Sequence, residues 1–284
     1  MKKNAVFFLF FILLLAAGPS RAAFSGEEPR RDYAQAVLQG QASNVLVWGF
    51  DLLVLQAGYA RISLESWEKN LREGFEWDNS QFHTNQILHP YQGGTYYNAA
   101  RVNGFSFWES IPFTVFGSLV WEYFCERENP SVNDLITTSF GGVAMGEAGF
   151  RLSTALIDGR ETGARRVARE IAALILNPVL AFSRLLYGDT VLRGLSRNPQ
   201  RVELTLYSGI NRTRDDYALF EVTPHPFAGF LLRFGNPYGP QEVYAPYDYF
   251  VLQAGLDMDI SNPGGDVFAH AVLYGRRLYP GGES

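Results

Sequence analysis

The chain has 284 residues, 47% of them apolar, which is enough to bury a core and too apolar for a disordered polypeptide. Its formal net charge of −5 excludes a general phosphate-binding surface, and with it nucleic acid as a partner. The single cysteine, Cys125, excludes an intramolecular disulfide framework and any zinc site built on several cysteines.

The chain opens with Lys2 and Lys3, an apolar run from Ala5 to Ala17, and then Gly18, Pro19, Ser20, Arg21, Ala22 and Ala23. A charged start, a short apolar stretch and a small-residue end predict a secretory signal peptide over residues 1–23. The run is too short for the ~20 residues of a membrane-spanning helix. No cysteine stands near the cleavage region, so a lipoprotein anchor is excluded. The mature chain is expected to begin near Phe24, in the periplasm or outer membrane of a Gram-negative bacterium. Removing residues 1–23 takes away three bases and no acid, leaving 21 bases against 29 acids and a net charge of −8.

Residues 24–190 read as an aromatic-rich helical bundle. In the segment 33–60, Val45, Trp48, Leu52, Leu55 and Tyr59 recur at helical spacing and predict an apolar face. A polar connector is expected from Trp67 to Tyr97, because Gly74, Pro90, Gly93 and Gly94 punctuate it. An apolar segment follows from Phe105 to Phe124, interrupted by Glu109 and Pro112. A helix is expected from Ser131 to about Leu156, then a charged stretch from Asp158 to Glu170. The last apolar segment runs to Leu186 and should break at Asn177-Pro178. Ser110 to Trp121 is the longest uncharged stretch near position 115, and its twelve residues suit a buried helix better than a membrane span.

From about Arg201 to Ser284 the pattern changes to period two. Phe250, Leu252, Ala254, Leu256, Met258 and Ile260 alternate with mostly polar or small residues, and Val267, Ala269, Ala271 and Leu273 form a second apolar row. Arg201 to Ser208 and Ala228 to Phe234 add two more strands. Asn211 to Asp216, Asn236-Pro237 and Ser261 to Gly265 supply the turns. The fold class is therefore α+β, a helical bundle followed by antiparallel strands. Alternating strands of this kind build outer-membrane barrels, and also soluble sheets with one wet face. Residues 201–284 have room for about five strands against the 8 of the smallest bacterial barrels. The chain is thus expected to be a truncated barrel protein or to form an open sheet.

A dense run of polar motifs lies between Trp77 and Arg151. It reads His89-Pro90-Tyr91-Gln92-Gly93-Gly94, Ala99-Ala100-Arg101, Trp121-Glu122 with Glu126, Pro130-Ser131 with Asp134, Gly141-Gly142, Gly146-Glu147 and Arg151. These motifs resemble the bacterial domain of unknown function 3943 family over roughly residues 65–190. The resemblance implies a bacterial envelope protein with no established activity, from a family whose members run longer at the carboxy end.

Glu122 and Glu126 are one helical turn apart, so the two carboxylates repel unless a cation lies between them. Arg101 and Arg151 are the expected cations, and Glu147 with Arg151 forms a further i,i+4 pair. A buried network of Arg101, Glu122, Glu126, Glu147 and Arg151 that fixes helix register accounts for these residues. Ser131 and Asp134 have the spacing of a capping box. Gly142 and Gly146 suit close helix packing and lack the strand and the Lys-Ser/Thr of a phosphate loop.

Two chemical readings stand beside this. His89, Glu122 and Glu126, with His83, could ligate a metal, but the Glu-x-x-His of helical carboxylate sites is missing, and no metal or other cofactor is expected. Alternatively, His89 acts as a base beside Ser106, Ser110 or Ser118, oriented by Glu122 or Glu126, in a membrane-associated hydrolase of envelope lipid or glycan. No Gly-x-Ser-x-Gly elbow supports it. The expected function is a structural or transport-like role at the outer membrane, with envelope components as partners.

Overall fold

The computed structural model describes residues 31–79, 82–157, 162–188, 201–214, 222–239, 242–259 and 264–276. The expected signal peptide lies outside them. The chain divides into two compact units, Met1–Arg197 and Asn198–Ser284. The first is helical and the second is an antiparallel sheet, so the architecture is α+β.

In the helical unit, α1 (Tyr33–Phe50) starts where the Asp32 side chain accepts from the Gln35 amide at 3.0 Å. It runs into a π-type turn, Asp51–Leu55, and stops at Gln56, whose φ of 52° is left-handed. The apolar stripe expected on this segment does not face the core. Gln35, Ala36, Gly40, Asn44 and Asp51 are buried, whereas Leu55 is exposed and Val45, Trp48, Leu52 and Tyr59 are only half-buried.

The expected connector holds two helices. Ser63 and Ser66 close a capping box at the start of α2 (Leu64–Glu73). A π-type turn, Thr84–Leu88, then leads into α3 (His89–Val102), the central helix of the unit, with Pro90 in its first turn. Glycine normally weakens a helix interior by ~1 kcal/mol. Here Gly93 and Gly142 let two helices touch backbone to backbone. A Cβ at Gly93 would sit 1.8 Å from the Thr138 carbonyl oxygen, and one at Gly142 would sit 2.6 Å from the Gly93 Cα. Tertiary contact overrides local propensity at both positions.

Around α3 stand α1, α4 (Phe107–Phe124) and α6 (Gly142–Leu156). Helix α4 is capped reciprocally by Ser106 and Glu109, and it continues through Pro112. Its buried face is Phe107, Ser110, Thr114, Gly117, Ser118, Trp121 and Glu122, while Trp108, Val115 and Phe116 face outward. Between the buried Phe107 and Trp121 at its two ends, small and polar side chains face inward while Trp108, Val115 and Phe116 face outward, which inverts the usual order of a water-soluble helix over that stretch. Short α5 (Val132–Ile136) passes through a π-type turn, Thr137–Gly141, into α6. Helix α7 (Gly163–Leu176) and helix α8 (Pro178–Tyr187) break at Asn177-Pro178 as expected, with the Asn177 side chain accepting from the Leu180 amide at 3.0 Å. Val102, Phe150, Ile157, Ala173 and Leu180 form the apolar core there.

In the second unit β1 (Val202–Arg214), β2 (Val222–Phe234), β4 (Phe250–Asp257) and β5 (Gly264–Ala271) form an antiparallel sheet in the order β1-β2-β4-β5. The two-residue strands β3 (Val243–Tyr244) and β6 (Gly275–Arg276) pair separately. The Asn211 turn expected from sequence is instead part of β1, paired with His225. The described strands make an open sheet, and no barrel closes among them. Its register aligns apolar residues across all four strands. Leu204, Leu232, Leu252 and Ala269 form one row; Leu206, Phe230, Ala254 and Val267 form the next. The opposite face is mixed, with Glu203, Arg233, Gln253 and Asp266 beside Leu231, Val251 and Phe268.

Candidate functional site

The network expected of five charged residues divides into two clusters at opposite ends of α3. At its carboxy end, α3 places Tyr97 and Arg101 one turn apart, and α6 places Glu147 and Arg151 one turn apart. Glu147 has no solvent exposure. Its Oε2 accepts from Arg101 Nε at 2.7 Å and from the Tyr97 hydroxyl at 2.9 Å. Its Oε1 accepts from Arg151 Nε at 2.8 Å and from Arg101 Nη2 at 3.2 Å. Arg101 spends its remaining Nη1 donor on the Phe105 carbonyl at 2.7 Å and lies 4.3 Å from the Phe150 ring centroid. Burial, followed by the Glu147 charge, pushes the Tyr97 hydroxyl well above its usual range, so it stays a donor. A carboxylate held by four donors has no lone pair ready for acid–base work, and this cluster is a structural lock.

At the amino end of α3 the carboxylates have no such partners. Glu122 is 1% exposed; its Oε2 accepts from the Ser131 amide at 2.8 Å, and its Oε1 is buried with no hydrogen-bond partner. Glu126 accepts from the Trp121 indole. Among the described residues neither forms an ion pair with an arginine or lysine, because Arg101 and Arg151 both turn to Glu147. Asp134, which hydrogen-bonds Asp78, completes an acid-rich pocket beside Glu122 and Glu126. Burial first, and neighbouring acids second, push the Glu122 carboxyl above its usual range. Burial, with neighbouring acids adding to it, raises Glu126 and Asp134 to about 7. The repulsion expected of the Glu122/Glu126 pair is thus relieved by protons rather than by a guanidinium.

Ser131 caps α5 as expected, with its hydroxyl accepting from the Asp134 amide at 3.2 Å. The return bond to the Ser131 amide comes from Glu122 instead of Asp134, whose carboxylate accepts from the Asn133 side chain at 3.0 Å. This ties the start of α5 to the end of α4. The adjoining chain is fastened by Glu76, whose amide donates to the Pro130 carbonyl at 2.8 Å and whose carbonyl accepts from Val132 at 2.9 Å.

His89 is buried between Thr138, whose hydroxyl oxygen lies 3.1 Å from Nδ1, and Asp134, whose Oδ2 lies 3.6 Å from Nε2. Burial lowers its pKa to about 4, so the ring is neutral near pH 7 and poorly matched to general-base work there. The serines considered with it serve α4: Ser106 is its cap, and Ser110 donates to the Ser106 carbonyl at 2.8 Å. The Ser118 hydroxyl is buried without a partner. His83 is exposed. Among the described residues no hydrogen bond joins His89 to Ser106, Ser110 or Ser118. Among the described residues, no group of three or more His, Cys, Asp or Glu side chains is placed to hold a metal ion.

Sequence reasoning missed Asp78 and Asn70, which reach the acid pocket from elements with no periodic link to Glu122, and the contact of Thr138 with His89. Asn70 donates to the Glu126 carbonyl at 3.0 Å. It also missed a buried polar knot of Asn44, Gln92 and Tyr96, in which Asn44 donates to the Gly117 carbonyl at 3.2 Å and joins α1, α3 and α4. The readable signal was polar residues at helical spacing opposite the apolar ones.

Residues 74–179 match the family model described as Domain of unknown function (DUF3943), the segment that holds the Glu147 lock and most of the acid pocket. No curated protein and no solved structure matches the chain.

Proposed function

We propose that this chain, whose residues 74–179 match that family model, is an exported bacterial envelope protein seated at the outer membrane in a structural or transport-like role. The apolar face of the sheet carries the reading. Leu204, Leu206, Ile210 and Val267 are 60%, 75%, 72% and 85% exposed on a face that is apolar across four strands, while the opposite face mixes Glu203, Arg233, Gln253 and Asp266 with Leu231, Val251 and Phe268. Apolar-out alternation is what lipid-facing strands require. Strands β1 and β2 have 13 residues each, more than the ~9–11 that a tilted strand needs to cross a bilayer. The middle of α4 adds support: Ser110, Thr114, Gly117 and Ser118 face inward and Trp108, Val115 and Phe116 outward, and packing through small and polar residues suits a surrounding that is itself apolar. No described helix is long and apolar enough to cross a membrane.

The test is fractionation of the full chain expressed in a Gram-negative host. Wild type is expected in the outer-membrane fraction after carbonate washing, and Leu206→Asp with Val267→Asp is expected to leave it. Recovery of wild type in the soluble periplasmic fraction would overturn the reading.

A further inference from the structure

The acid pocket lies where two pieces of chain meet the helical body. Residues 74–79 and the stretch from Pro130 through α5 are tied to each other. The Glu76 amide and carbonyl bond Pro130 and Val132, and the Asp78 amide donates to the Asn133 side chain at 2.9 Å. Together they form a strap, and the acids divide across its contact with the body. Asp78 and Asp134 belong to the strap, whereas Glu122 and Glu126 belong to α4 and the turn that follows it. The carboxyl groups of Asp78 and Asp134 are hydrogen-bonded to each other, which requires a proton between them. Two contacts that fasten the strap run through the same acids. The Ser131 amide donates to Glu122 Oε2 at 2.8 Å, and Asp134 Oδ2 lies 3.6 Å from His89 Nε2. Glu122 Oε1 stays buried without a partner.

Among the described residues, Glu122, Glu126 and Asp134 have no arginine or lysine partner. From α3 the pocket meets the neutral His89 and Tyr96, from the end of α4 Cys125, and from the chain after α1 Asp51 and Tyr59. Burial keeps Tyr59, Tyr96 and Cys125 protonated, and Asp51 adds to the repulsion. Lys69 and Arg127 are spent at the surface, Lys69 on the Arg127 carbonyl at 3.1 Å and Arg127 beside Glu128 at 4.0 Å. The Ser131 amide favours an ionised Glu122, but burial and the neighbouring acids outweigh it.

We propose that the strap is a latch held by protons: it stays closed while the acid pocket carries them and leaves α4 when they are lost, admitting water to the amino end of α3. Ionised acids would face one another across a dry contact with no cation between them, and a buried charge left uncompensated is strongly destabilising. Releasing the strap lets water solvate them without unfolding the rest of the unit. Glu147, at the other end of α3, keeps both its arginines and has no part in the change. Glu126 and Asp134 give up their protons near pH 7, so the latch works between about pH 6 and about pH 8. His89 titrates near pH 4, outside that range.

The test is amide hydrogen exchange of the full chain read by mass spectrometry from about pH 6 to about pH 8, corrected for the intrinsic pH dependence of exchange. Peptides covering 74–79 and 130–136 report the strap, and peptides covering 142–156 report α6 as the internal reference. Protection of the strap is expected to fall at least tenfold over that range while α6 keeps its protection, since one proton lost is worth a factor of ten per pH unit. Asp134→Asn with Glu126→Gln removes the charges, keeps the shapes and should hold the strap's protection level. Strap protection that does not change with pH in wild type, an equal loss in α6, or a fall in the double variant as large as in wild type would each overturn the proposal. The wild-type series decides by itself should the double variant fail to fold.

Discussion

The Glu147 carboxylate, closed off from solvent, is gripped by both Nε and Nη2 of Arg101 at 2.7 and 3.2 Å. Removing one partner of such a pair strands the other, which costs about 3–5 kcal/mol in a buried site. Arg101→Ala is therefore expected to lower the unfolding free energy by that amount in denaturant titration. Arg151→Ala removes one of four donors and should cost less. Equal stabilities for wild type and Arg101→Ala would show that the lock carries nothing.

Glu122 behaves oppositely. Its carboxyl is raised by burial and by Glu126, and Oε1 has no partner. Glutamine keeps the shape and an acceptor for the Ser131 amide without the charge. Glu122→Gln should change stability by less than about 1 kcal/mol near neutral pH and stabilise the unit at higher pH, since replacing an uncompensated buried charge is neutral or favourable. A loss of several kcal/mol at pH 8 would contradict a protonated pocket.

The pocket also sets a pH window. Glu126 and Asp134 have ordinary values of 4.5 and 3.8 and are raised to about 7, so the folded chain holds protons that the unfolded chain releases. Their contribution is complete below about pH 4 and is lost as pH rises through about 7. His89, lowered from 6.5 to about 4, works the other way, contributing above its ordinary value and losing that contribution as pH falls through about 4. Thermal unfolding followed by circular dichroism should show the melting temperature of the helical unit falling by a few degrees from about pH 6 to about pH 8. Glu126→Gln should flatten that fall.

Backbone contact between Gly93 and Gly142 leaves no room for a methyl group. Gly93→Ala is expected to cost about 3 kcal/mol or more, despite alanine's better helix propensity, because the carbonyl of Thr138 cannot retreat as a flexible side chain could. An alanine variant as stable as wild type would mean the helices do not cross where they do here. Asn177→Ala, which removes the cap of α8, should cost about 1 kcal/mol by the same assay.

The α+β class, the Asn177-Pro178 break, the Ser131 cap and the alternating strands were legible because each rests on local chemistry: a capping oxygen, a missing amide, a period of two. The helix α3 was not. Pro90, Gly93 and Gly94 read as loop by every local rule, and only the approach of α6 turns their lack of side chain into an advantage. The core face of α1 failed for a related reason. The stripe of Val45, Trp48, Leu52 and Leu55 has the right spacing, but the small surface of α3 selects Ala36, Gly40 and Asn44 as its counterpart.

Sequence by itself determined which residues carry charge in the helical unit and that some must be paired, since ionic groups among so many aromatic side chains cannot stay uncompensated. Within one helix it also chose a partner, Arg151 for Glu147 at i,i+4, but it could not choose partners between helices. Glu122, Glu126 and Glu147 are equivalent as carboxylates, and Arg101 can reach only what the crossing of α3 and α6 brings within 3 Å or so. That crossing adds the Arg101 guanidinium to the Arg151 that Glu147 already holds within α6, and leaves the other two glutamates to be neutralised by protons, because pairing between helices is a matter of distance, and that distance exists only once they have packed.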